Sequence, residues 1–89
     1  MGRVTAAQAA DELLNIIGIR SSFVLFPEEE RVIVSARSTS DTNVQVILET
    51  LGGGGNAAVA GAQVSGMKQE EVAARLVQAI DQYVAEQTR

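Results

Sequence analysis

Arg37, Ser38, Asn43 and the run Gly52-Gly53-Gly54-Gly55 are the residues whose types and spacing suggest chemistry. That chemistry is the holding of an anion. Arg37 offers a planar, permanently charged fork that suits a phosphate or carboxylate. Ser38 and Asn43 add neutral hydrogen bonds, and four glycines in a row could aim several N–H groups at an anion in a nest. Taken singly, Arg37 also reads as a surface arginine at a strand end and Asn43 as a helix cap. Their convergence near the glycines is what makes a site.

Other chemistries fall away by residue type. The chain has no histidine and no cysteine, which removes the usual general base, the usual zinc ligand and any thiolate or disulfide. No Ser–His–Asp arrangement can be assembled without histidine. The acids Asp11, Glu49, Asp81 and Glu86 are spread over the helices of this reading and lack ligand spacing, so no metal site is assigned and no cofactor is expected in this chain. The glycine run is followed by Asn56 and alanines rather than Lys-Ser or Lys-Thr, so it is not a Walker-type loop. Gly55 to Gly61 does not make a dinucleotide fingerprint.

The glycines need a reason. Each costs roughly 0.5–1 kcal/mol against alanine in backbone entropy, about 2–4 kcal/mol for the run. They lie between an amphipathic helix and the small apolar segment Ala57 to Ala62 rather than between polar linkers. Positive φ angles or the close approach of another group would explain them.

The elements that position these residues follow from patterning. At 89 residues the chain makes one small domain, residues 1–89, and its 46% apolar content supports a core. Only Phe23, Phe26 and Tyr83 are aromatic, so that core is aliphatic and rich in alanine. A net charge of −4 argues against broad, sequence-blind nucleic-acid binding, which relies on basic surface. Thr5 with Gln8, then Ala6, Ala9, Ala10, Leu13 and Ile17, predicts a helix from about Ala6 to Ile17 capped by Gly18. Ser22 to Phe26 reads as a strand, Pro27 to Glu30 as a turn, and Arg31 to Arg37 as a second strand with Val32, Val34 and Ala36 on one face. Asp41 or Thr42 caps the next helix, in which Val44, Ile47, Leu48 and Leu51 recur at helical spacing up to the glycines. Ala58 to Val64 is the third strand, broken by Gly66, and Lys68 to Glu86 the longest helix. The expected fold is α/β (α+β): a small mixed three-stranded sheet with helices packed on it, in the order α-β-β-α-β-α.

Three blocks of sequence carry a resemblance. Val34-Ser35-Ala36-Arg37-Ser38, then Asn43-Val44-Gln45-Val46-Ile47, then Leu51 to Asn56 with Ala60-Gly61-Ala62-Gln63, resemble the DHHA1 domain of DHH-family phosphoesterases. The likeness is greatest to the bacterial cyclic-di-AMP phosphodiesterase branch, whose pattern reads SARS, NVQ and LGGGGH, and it spans roughly Ala10 to Tyr83. The resemblance implies a division of labour. A DHH domain, absent from this chain, holds two manganese ions and activates water. The DHHA1 domain grips the nucleotide across the cleft and is not catalytic by itself. Carried over by motif, Arg37 and Ser38 contact the phosphate or nucleotide, and Gly52, Gly53, Gly54 and Gly55 let the ligand approach the backbone. One position departs: Asn56 stands where the family has histidine. It can donate from its amide but is shorter and always neutral, and asparagine is also at ease in left-handed turns.

The implied partners are a cyclic dinucleotide or short oligonucleotide, the parent's DHH domain, and a second copy of the chain. Met1-Gly2 reads as a boundary cut through a longer parent chain. Nothing in the sequence reads as a signal peptide or membrane span, so this segment is expected in the cytoplasm without membrane contact, even where a parent is membrane-anchored. Three other readings stay open. One is a degenerate DHHA1-like module kept for dimerisation or domain contact. The others are part of an oligoribonuclease of the same family and, further off, a segment of an alanyl-tRNA synthetase.

Overall fold

The computed structural model describes residues 12–16, 20–39 and 41–87. Its elements run β1 (Glu12–Ile16), β2 (Ser21–Glu28), β3 (Arg31–Ser38), α1 (Val44–Glu49), β4 (Gly54–Gly55), β5 (Val59–Ser65) and α2 (Gln69–Gln87). The α+β class stands, and the details differ. The sheet has five strands in the order β1-β2-β3-β5-β4, and every described pairing is antiparallel, rather than three strands in a mixed sheet.

The largest correction is at the start. Residues 12–16, expected at the end of a helix, are β1 and pair with β2 from Glu12↔Leu25 to Ile16↔Ser21. The remainder of that expected helix and its Gly18 cap lie outside the described residues. Helix propensities differ by only a few tenths of a kcal/mol among most residues, and a waiting strand edge outweighs them. In the strand, Leu14 packs against the core while Leu13 is turned outward and 63% exposed.

Smaller corrections follow the same logic. Pro27 and Glu28 belong to β2, and the turn is only Glu29-Glu30, with Glu29 at φ 58°. Proline is confined to strand edges and bulges, and Pro27 lies beyond Glu12↔Leu25, the last described pair with β1. Of the residues read as caps, the structure selects Asn43. Asn43, not Asp41 or Thr42, caps α1, its Oδ1 accepting from the N–H groups of Gln45 (3.0 Å) and Val46 (3.3 Å). The two-residue β4 is too short to leave a pattern in sequence.

The expected alternation of β3 holds and organises the molecule. Val32, Val34 and Ala36 are buried, as are Phe23 and Leu25 of β2 and Ala60 and Ala62 of β5. Val44, Ile47 and Leu48 of α1 and Val72, Leu76 and Ile80 of α2 complete this core from above. At about 25 cal/mol per Å² of apolar area, these side chains supply most of the driving force. Tyr83 joins the layers: its hydroxyl accepts from the Asn43 N–H at 2.9 Å, tying α2 to the start of α1. Glu71 accepts from the Lys68 N–H, the return half of a capping box at the start of α2. Both helices thus lie on one face of the sheet. Among the described residues, no helix covers the other.

Candidate functional site

The uncovered face of the sheet carries an open groove of about 720 Å³ beside the glycine run. Its floor is built by register. Val24 pairs with Ser35, Ser35 with Gly61, and Gly61 with Gly54, so one row across four strands narrows to small or absent side chains. A second row, Phe26, Ile33 and Gln63, borders it on one side. A third, Ser22, Arg37 and Val59, runs on the other side. Rows on one face lie two residues apart, roughly 7 Å. From Ile33 to Arg37 the strand covers roughly 13 Å, which a long arginine side chain can partly bridge.

The four glycines have four different reasons. Gly52 sits at φ 82° and closes α1: its N–H reaches Glu49 O at 3.0 Å, and that of Gly53 reaches Leu48 O at 2.9 Å. This is the bond pair of a Schellman cap, which wants a left-handed residue there. Gly53 is required by packing, because an added Cβ would lie 2.1 Å from Gly61 O and 2.7 Å from the Ala62 Cβ. Gly55 combines φ 146° with a Cβ position 2.5 Å from Val59 O. Gly54 has neither cause. Its φ is ordinary and an added Cβ would meet nothing within 4 Å. The fold does not need a glycine at position 54, but the groove stays open because of it.

Half of the expected anion nest is taken up inside the fold. The N–H groups of Gly52 and Gly53 are spent on helix carbonyls, and that of Asn56 on Val59 O at 2.8 Å. What the glycines supply is close backbone approach, to β5 at Gly53 and to the open groove at Gly54.

The other expected site residues divide. Arg37 is exposed at the end of β3, and its guanidinium has no hydrogen bond or ion pair among the described residues. Ser38, by strand alternation, falls on the covered side, and its N–H donates to Ala58 O at 2.9 Å. Asn43 is the helix cap. Asn56 turns its own loop, with Oδ1 accepting from the N–H groups of Ala58 and Val59, both at 2.9 Å. Because the Val44 N–H donates to Ala57 O, the Asn56 loop is fastened to both Ser38 and the start of α1. Ser38, Asn43 and Asn56 are therefore brought together, but as the frame of the site. Gly54, half-buried, lines the groove, and Arg37 is exposed one row to its side, outside the lining.

Sequence reasoning missed Phe26, Ile33 and Gln63 as lining residues. Their outward parity was readable, but only the pairing of β3 with β5 places Gln63 next to Ile33. Gln63 is also tethered: Arg31 donates to its Oε1 at 3.2 Å and to Glu28 Oε1 at 3.1 Å. Among the described residues, no group of three or more acids, histidines or cysteines could hold a metal ion.

Comparison with known proteins bears on the whole of this architecture. The family described as the DHHA1 domain matches residues 3–86. The chain belongs to the DHHA1 domain family. Relatives include the cyclic-di-AMP phosphodiesterase PdeA of Listeria monocytogenes, 45% identical over 83 residues, which is 92% of this chain and 13% of the relative. Another is the cyclic-di-AMP phosphodiesterase GdpP of Bacillus subtilis, 45% identical over 82 residues, 91% of this chain and 12% of the relative. A membrane protein–large ribosomal subunit bL9 fusion protein of Aster yellows witches'-broom phytoplasma is 36% identical over 61 residues, 67% of this chain and 7% of the relative. The DHHA1 chain thus spans about an eighth of the length of the two phosphodiesterases it matches. Among its described residues, no helix is long and apolar enough to cross a membrane.

Proposed function

We propose that this DHHA1 domain is the nucleotide-gripping part of a DHH–DHHA1 phosphodiesterase acting on cyclic di-AMP or a short linear dinucleotide, and that it is not catalytic by itself. The manganese chemistry belongs in this reading to a DHH domain outside the chain, facing the groove in the cytoplasm. The observation that carries the reading is Gly54. It is a glycine free of backbone or packing necessity, on an open small-residue floor, one row and two strands from an arginine that has no side-chain partner among the described residues. A flat ring can lie on such a floor, with Phe26 and Ile33 as the apolar border and Arg37 placed for a phosphate. The names of the relatives supply the nucleotide class.

The test is an NMR titration of the chain with cyclic di-AMP and with linear di-adenylate, repeated on Arg37→Ala and Gly54→Val. Shifts at Ser35, Arg37, Gly54 and Gly61 that weaken about tenfold or more in both variants are expected. Shifts confined to α2, or a titration unaffected by both substitutions, would sink the reading. Manganese-dependent hydrolysis by the purified chain would contradict its non-catalytic part.

A further inference from the structure

Gln63 lines the groove with Ser35, and it is the longer of two polar side chains that the phosphate reading leaves without work. It stands at the end of the row Phe26–Ile33–Gln63, so an amide follows an aromatic and an aliphatic side chain across three strands. It is also oriented. Arginine has donors and no acceptor, so the group it faces must be the amide oxygen, and the NH₂ of Gln63 is turned elsewhere. Arg31 is itself held by Glu28, which accepts from its second terminal nitrogen at 3.1 Å. The chain Glu28–Arg31–Gln63 therefore favours one orientation of the amide, on a surface where a free glutamine would rotate.

An amide oxygen has two lone pairs. One takes the Arg31 N–H, and the second stays able to accept beside the NH₂ donor. A donor and an acceptor side by side match the edge of adenine, whose N7 accepts and whose N6 amino group donates. Guanine presents two acceptors, N7 and O6, along the same edge and would set O6 against the amide oxygen.

We propose that Gln63, held by Arg31, is the base-reading residue of the groove and selects adenine over guanine. This rests on the nucleotide reading above and assigns the specificity within it. Phe26 and Ile33 supply the surface under the base, Gln63 reads its edge, and Arg31 is a positioning residue that touches the glutamine rather than the ligand.

The test is a titration, read by the backbone resonances of Gly54 and Arg37 and the side-chain amide of Gln63, with linear di-adenylate and linear di-guanylate. The unaltered chain is expected to prefer di-adenylate on the order of tenfold, the lower range for one bidentate base contact. Gln63→Ala should bring the preference close to unity while di-guanylate affinity stays the same. Arg31→Ala should lower the preference by a smaller factor, and Arg31→Lys, which restores a donor, should recover part of it. An adenine preference that survives Gln63→Ala overturns the assignment and leaves nucleotide binding standing. Absence of shifts with both dinucleotides overturns nucleotide binding itself, and the assignment with it. Gln63 is exposed, so an unchanged thermal midpoint of Gln63→Ala separates either outcome from misfolding.

Discussion

The two faces of this sheet are made by the same strands and do opposite things. Along β3, Val32, Val34 and Ala36 are sealed under two helices, while Ile33, Ser35 and Arg37 face the open side. β5 repeats the contrast with Ala60 and Ala62 inward and Gly61 and Gln63 outward. The covered face is filled with apolar side chains. The open face is stripped of side chains at its centre and carries polar groups toward its ends. One face spends the sequence on stability and the other spends it on access, and strand alternation lets residues one apart serve both.

That contrast can be broken by substitution, and the largest effect belongs to the covered face. Phe23→Ala removes a fully buried ring and should cost about 3–5 kcal/mol, a large share of the stability of a domain of this size. Circular dichroism against urea would show it. A cost under about 1 kcal/mol would mean that the ring is not under the helices.

The glycine run gives the sharpest comparison, because adjacent residues should differ. Gly53→Ala drives a methyl group into the Gly61 carbonyl and should lose about 1–3 kcal/mol, an overpacking penalty with little room to relax. Gly54→Ala should be neutral or gain up to about 1 kcal/mol, since the unfolded chain loses freedom and the folded chain meets no clash. For a domain in this size range, each kcal/mol appears as roughly 4–8 °C in the thermal midpoint. Equal midpoints for the two variants would erase the distinction between frame and floor.

The frame residues come next. Asn43→Ala leaves the Gln45 and Val46 N–H groups without their cap and should cost about 1 kcal/mol. Its effect on ligand binding should follow stability alone. Arg37→Ala completes the series with a stability change within about 0.5 kcal/mol, because its side chain is exposed and pairs with nothing among the described residues. Its whole effect should fall on binding. Together Asn43 and Arg37 separate the two kinds of candidate that sequence reading placed in one group.

The Glu28–Arg31 pair is not a source of stability in this comparison. The Arg31 and Glu28 side chains are 38% and 51% exposed, and exposed pairs contribute little. Its interest is directional, in the hold that Arg31 keeps on Gln63.

How much of this was legible in the chain can be judged from particular elements. The burial alternation of β3, the Val44–Ile47–Leu48 stripe of α1 and the Val72–Leu76–Ile80 stripe of α2 were readable, because period two and period 3.6 are written into local sequence. The DHHA1 family was readable from three motif blocks, and the match over residues 3–86 bears it out. The fate of residues 12–16 was not readable, because Leu13 and Leu14 satisfy a helical stripe as well as a strand. Only the free edge of β2 made that choice. Nor could the roles of the four glycines be told apart. Local sequence showed that bare backbone was needed, and the physical need differs at each position: a left-handed φ at Gly52, the nearness of β5 at Gly53, both at Gly55, and neither at Gly54. Sequence by itself determined which residues are apolar, charged or bare, and with what period, because those are properties of single residues and near neighbours. Tertiary structure alone decided which bare and polar residues share a surface. Gly54, Gly61 and Ser35 become one floor, and Arg31 reaches Gln63, through strand pairings between segments far apart in the chain.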